Sequence, residues 1–237
     1  MSSASKVSPS PVPIALVAAC VAAFGLVLAG CASGPPPTPT DQGWTALEAG
    51  DWRSAKTHFA EALRVDDRDA RAWHGQAAAQ LSGRDAAAAL RSLGSLSKVD
   101  SARFAGAARE TYAEALELAV SQRIARKQAA PALAAARALA SLDPNRRGLG
   151  PLLGRALMAA AHHERLRGRT DAALALYKEA AERVPADLDA WVGAVEILLE
   201  RKRGREAMAL LEAARRSHPT AAVIRTLARQ AIRYRKR

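Results

Sequence analysis

Cysteine is nearly missing from this chain, which has two in 237 residues, Cys20 and Cys31. Cys20 lies inside an apolar run that is expected to be removed, so no internal disulfide is expected and no Cys nucleophile is on offer. Aromatic residues make up only 4% of the composition, which leaves Ala and Leu to build the core and suits an Ala-rich helical protein. Long hydrophobic stretches are absent beyond Ile14 to Ala29, too short for a comfortable membrane span. No Gly-rich phosphate loop and no serine elbow occurs. His162-His163-Glu164 is the one cluster that invites a metal, but Arg167 stands where a zincin would need its second His, and adjacent helical residues point about 100° apart. Catalytic residues, metal ligands and cofactors are therefore all expected to be none. Acidic residues are missing after Glu212, while Arg215, Arg216, Arg225, Arg229, Arg233, Arg235, Lys236 and Arg237 follow.

What is present begins with an address. Ile14 to Ala29 is uncharged and preceded only by Lys6 and the amino terminus as positive charges, the arrangement of a secretory signal. It ends in Leu28-Ala29-Gly30-Cys31, which resembles the bacterial lipoprotein signal. That resemblance implies cleavage after residue 30 and acylation of Cys31. Each buried methylene contributes about 0.8 kcal/mol, so a multiply acylated Cys31 would hold the protein on a membrane. Ala32 follows where inner-membrane retention would use Asp, so the resemblance implies the outer membrane, facing the periplasm. Residues 31–40, with Gly34-Pro35-Pro36-Pro37-Thr38-Pro39-Thr40, read as an extended tether.

From residue 41 onward the chain repeats. Leu157, Ala160, Ala173, Tyr177, Ala180 and Pro185 return 34 residues later as Trp191, Ala194, Ala207, Leu211, Ala214 and Pro219. Each copy reads as a helix, a tight turn at Gly168 or Gly204, and a second helix with small, large and small residues on one face. This period and pattern resemble the tetratricopeptide repeat. The resemblance implies an all-α, right-handed superhelical solenoid over residues 41–237, with about five helix pairs and a C-terminal cap helix. A lone pair of this size cannot bury its apolar face, so each needs a neighbour.

The earlier pairs follow the same reading. Gly43, Trp44 and Leu47 open the first, Gly50-Asp51 turns it, and Trp52, Ala55, Phe59, Ala62 and Leu63 return. Ala70 to Leu81 and Ala86 to Lys98 form the second, whose return helix looks weak because Ser92 and Ser95 fall where apolar residues are expected. Ser101 to Gln128 keeps one helical period through Phe104, Ala108, Tyr112, Leu116, Ala119 and Ile124. Pro131 to Leu142 answers it, and Asn145 to Gly150 is expected to insert about seven residues. Ala221 to Tyr234 reads as the cap, with Ile224, Leu227, Ala228 and Ala231 inward.

Charge is uneven. Residues 41–100 hold eight Lys and Arg against nine Asp and Glu, whereas residues 101–237 hold 26 against 14. Arg225, Arg229 and Arg233 fall one turn apart on one ridge. The ridge reads either as a solvated face or as a docking strip for an acidic protein, lipid phosphates or an acidic glycan. Export disfavours nucleic acid as a partner.

Peptide-binding relatives in the resembled family use the surface made by the first helix of each pair. Carried over, that surface presents Arg71, His74 and Leu81, then Met158, His162 and Arg165, then Val192, Glu196 and Leu199. The Lys and Asn set with which chaperone adaptors clamp a terminal carboxylate is absent there, so an amphipathic helix or extended peptide is the expected occupant. Lipoproteins of this build resemble accessory proteins of pilus and secretin assembly, such as the Flp (Tad) pilus lipoprotein and the type IV pilotin. The expectation is an envelope scaffold that binds a protein or peptide partner. The alternative is an adaptor whose basic C-terminal half binds peptidoglycan or anionic lipid.

Overall fold

The computed structural model describes residues 36–235, and contacts divide the chain between Thr38 and Pro39. Cys31 and the apolar run lie outside the described residues. From Pro39 onward the described residues form twelve helices and no strand. Five antiparallel pairs are α1 (Pro39–Glu48) with α2 (Trp52–Val65), α3 (Ala70–Ser82) with α4 (Ala86–Val99), α6 (Arg109–Ala125) with α7 (Ala129–Leu142), α8 (Leu149–Leu166) with α9 (Thr170–Arg183), and α10 (Leu188–Glu200) with α11 (Gly204–Ser217). A short α5 (Ser101–Ala105) precedes the third pair, and α12 (Ala222–Arg235) closes the stack against α10 and α11. The first helix starts at Pro39, so two residues of the expected tether belong to it. Thr40 is buried and its hydroxyl donates to Asp69 Oδ2 at 2.6 Å.

One backbone device makes every pair. Gly50, Arg84, Lys127, Gly168 and Lys202 have φ between 57° and 80°, and lie 34, 43, 41 and 34 residues apart. At each, the amide donates to the carbonyl three residues back, and the next amide donates to the carbonyl five residues before it, as in Gly50 to Leu47 (3.0 Å) and Asp51 to Ala46 (2.9 Å). This is the Schellman ending, which satisfies the orphan carbonyls of the first helix while reversing the chain. The expected turn at Gly204 is corrected to Lys202. Gly204 is buried as the first residue of α11, at the position Thr170 holds one pair earlier.

The second helices carry the core in one register. Ala55, Phe59 and Ala62 are followed at the same spacings by Ala89, Leu93 and Leu96, then Ala132, Ala136 and Leu139, then Ala173, Tyr177 and Ala180, then Ala207, Leu211 and Ala214, and all fifteen are buried. The return helix of the second pair is therefore not weak. Its core residues Leu93 and Leu96 each fall one position after a serine, with Ala89 one turn before Leu93, and buried Ser92 donates to Gln80 Oε1 at 2.8 Å. The two largest fully buried side chains are Tyr177 and Phe59, each contributing about 2–3 kcal/mol by burial. Room for them comes from the next first helix, where Gly75 faces Phe59 and Gly193 faces Tyr177; a Cβ on Gly193 would stand 2.7 Å from the Tyr177 ring.

Two further expectations change. The single helix over Ser101 to Gln128 is broken, because Gly106 takes φ −97° and ψ −99° and lets the chain step aside between α5 and α6. The extra residues of the fourth pair are mostly helix: α8 has 18 residues against 13 in α3 and α10. Arg146 fixes the segment before α8. Its guanidinium reaches Glu110 at 2.9 Å and Glu117 at 3.1 Å on α6, and these hydrogen bonds hold its pKa above the usual arginine range.

Candidate protein-binding groove

The first helices α3, α6, α8 and α10, with α12 after them, expose a row of polar and apolar side chains. Arg71 is exposed at the start of α3 and paired with Asp41. His74 is half-buried three residues on, edge-to-face with Trp44 at 5.5 Å between centroids, with Nε2 at 3.1 Å from Thr111 Oγ1. Burial, and then the nearby Arg103, pull the His74 pKa below the ordinary imidazole range. Leu81 is separated from them and lines a pocket of about 520 Å³ with Arg84, Glu114, Glu117, Leu118 and Arg155.

The fourth and fifth pairs meet at a polar joint. Arg165 on α8 bonds Glu196 at 2.8 Å and Glu200 at 2.6 Å on α10. These carboxylates, Glu196 first, hold the guanidinium's pKa above its usual value. His162, one turn earlier, uses Nδ1 to hydrogen-bond the Tyr177 hydroxyl at 2.9 Å, so the core aromatic is tied to the groove. Met158 and Val192 are partly buried and pack against the main core, and Leu199 is buried. The next pocket, about 510 Å³, lies between α10 and α12 and is lined by Glu196, Leu199, Glu200, Leu227, Gln230, Arg233 and Tyr234.

Two of the expected residues thus form a direct ion pair, Arg165 with Glu196, and Leu199 joins Glu196 in the last pocket with Arg233 from the basic strip. Arg225 and Arg229 are exposed outside that pocket. Sequence reading missed Trp44, Glu114, Glu117, Arg155 and Glu200. The register of the left-handed turns finds Trp44, which lies six residues before its turn as His162 and Glu196 do before theirs; it does not reach Glu114, Glu117, Arg155 or Glu200. A third depression, about 470 Å³, belongs to the opposite side and lies among α7, α8 and α9, floored by Ala130, Leu133, Ala134, Ala172, Ala175 and Leu176.

The groove therefore alternates charge along its length with apolar floors. Among the described residues no group of three or more His, Cys, Asp and Glu could hold a metal ion. Family models described as tetratricopeptide repeat match residues 40–98 and 164–231.

The chain is a tetratricopeptide-repeat solenoid.

Between the two matched stretches, the tetratricopeptide pattern is obscured by the 43- and 41-residue spacings, although the turn at Lys127 and the buried register of α7 persist. No protein of curated function matches the sequence. Among solved structures the chain is similar to YrrB, described as a tetratricopeptide-repeat protein with an unusual peptide-binding site, at 16% identity over 91% of this chain and 98% of that one, TM-score 0.41. It is similar to a thermophilic tetratricopeptide-repeat protein of Thermus thermophilus at 21% identity over 82% and 97%, TM-score 0.34. It is similar to a chain of the Cut9–Hcn1 hetero-tetramer of APC/C at 12% identity over 89% of this chain, spanning 46% of that one, TM-score 0.37.

Proposed function

We propose that this tetratricopeptide-repeat solenoid is a lipid-anchored, periplasm-facing scaffold of the bacterial outer membrane, which binds a protein component of a cell-envelope machine through its first-helix groove. Pilus or secretion apparatus is the favoured machine. The observation that carries the binding role is the row of two pockets of about 520 and 510 Å³ on first helices, joined in sequence by the Arg165 to Glu196 and Glu200 contacts. Apolar floors in these pockets accept side chains, while the flanking charges set the register of a helix or extended peptide. The reading of the anchor is supported by Leu28-Ala29-Gly30-Cys31 and by the proline-rich residues after it.

Two variants of the full chain test the proposal separately. Cys31→Ser is expected to leave the protein in the soluble periplasmic fraction, and its retention on membranes would overturn the anchor. Arg155→Glu with Val192→Glu is expected to abolish co-purification with the envelope partner while the protein stays on the membrane; an unchanged complex would overturn the groove. The second reading, direct binding of peptidoglycan or anionic lipid by the basic half, is favoured by one observation: Arg225 and Arg229 make no ion pair among the described residues. It requires that purified sacculi or anionic vesicles bind the double groove variant as well as the unaltered chain.

A further inference from the structure

The last helix is written in the register of a first helix. Moving α10 forward by 34 residues places Leu188 on Ala222, where α12 begins, and lays Trp191, Val195 and Leu198 over Arg225, Arg229 and Ile232. In α10 those three side chains are buried. Gly193, on the other side of α10, faces Tyr177 of α9, so the stripe of Trp191, Val195 and Leu198 is the one that α11 folds back to cover. The equivalent stripe of α12 is open among the described residues. Arg225 and Arg229 are exposed and Ile232 is 49% exposed, while Ile224, Leu227 and Ala231 are buried against the stack.

We propose that this open stripe seats an acidic amphipathic helix of a partner protein, lying where the second helix of a sixth pair would lie. Three features on the stripe select that occupant. Arg225 and Arg229 stand one turn apart, the spacing at which carboxylates at i and i+4 of a facing helix can meet them. Ile232 lies one turn beyond Arg229 on the same stripe, so the partner must bring an apolar residue one turn beyond its carboxylates. Neither arginine has an acidic neighbour to neutralise it, since residues 213–237 contain no Asp or Glu, whereas Arg146, Arg165 and Arg203 are each held by carboxylates. A purely solvating end face has no use for Ile232, and an unstructured anionic surface has no use for the helix-packing register. The proposal is independent of the groove and of its occupant.

The probe is a synthetic amphipathic peptide with Leu and Ala on one face and Glu residues one turn apart along it, read by fluorescence anisotropy against the full chain. A scramble of the same composition is the reference. The ordered peptide is expected to bind, to weaken at least about tenfold for Arg225→Glu with Arg229→Glu, and to weaken several-fold for Ile232→Ser. Arg215→Glu with Arg216→Glu, the same charge change on α11, is expected to leave binding within about twofold, and Arg155→Glu in the groove likewise. Circular dichroism of each variant confirms that the helices remain. Equal binding of the scramble, equal weakening by the α11 control, no binding of the ordered peptide, or Arg225-dependent binding to anionic phospholipid vesicles in place of the peptide would each overturn the proposal.

Discussion

Gly75 and Gly193 show how a single hydrogen in place of a methyl decides where an aromatic ring goes. In an isolated helix, Gly→Ala stabilises by about 0.5–1 kcal/mol. Here a new Cβ at residue 75 would overlap the Phe59 ring, and overpacking of that kind costs about 1–3 kcal/mol, so overlap wins. Gly75→Ala is expected to destabilise the protein in urea unfolding, and Phe59→Leu to relieve it, leaving the double variant at least about 1 kcal/mol better than the sum of the two single losses. His74 gives a second residue-scale outcome. Its folded pKa is lowered by burial and then by Arg103, so the unfolded chain binds a proton more readily. The resulting stabilisation is complete above the unfolded value of about 6.5 and is lost as pH falls through it toward the lowered folded pKa. The thermal midpoint should therefore drop more between pH 7 and pH 5 for the unaltered chain than for His74→Gln.

At the scale of the helix, the left-handed turn is the structural unit that repeats most faithfully. Three of its five occupants are Arg84, Lys127 and Lys202, side chains that strain the left-handed conformation by about 1–2 kcal/mol. Lys127→Gly should stabilise the third pair by up to about 1 kcal/mol after the entropy of glycine is subtracted, measured as a higher urea midpoint with unchanged slope. Asp69 caps α3 by accepting from the amides of Arg71 and Ala72, both at 2.9 Å, and also receives the Thr40 hydroxyl; Asp69→Ala should lower stability by about 1–2 kcal/mol. The same turns explain what was legible in the sequence. Glycine at 50 and 168 announced a reversal, but Lys202 hides the fifth instance of it, and attention falls on Gly204 two residues later. The small-large-small faces of α2, α9 and α11 could be read directly. In α4 the serines at 92 and 95 shift the apparent phase, because nothing local distinguishes a buried Ser bonded to Gln80 from an exposed one. The break at Gly106 was invisible because the apolar period runs through it on both sides. Groove residues were found where the 34-residue spacing holds, and Glu114, Glu117 and Arg155 were missed where it stretches.

At the scale of the whole molecule, the stack grades from near-neutral early pairs to an arginine-rich end. The change has a local counterpart: the residue after each left-handed turn is Asp51 and Asp85 in the first two pairs, then Gln128, Arg169 and Arg203. The acidic caps that suit a helix amino terminus thus give way to arginines, and Arg203 is balanced by Glu206 at 2.6 Å. The proposed scaffold would hold its protein partner along the first-helix surface that carries the two pockets. The most direct test is site-specific photo-crosslinking in the native envelope, with the reactive group placed at Arg155 or Gln230 on first helices and, for comparison, at the exposed Arg183 or Arg216 on second helices. The account predicts one discrete protein adduct, shared by the two first-helix sites and absent from the two second-helix sites. Adducts formed at Arg183 and Arg216 with none at Arg155 and Gln230 would contradict it.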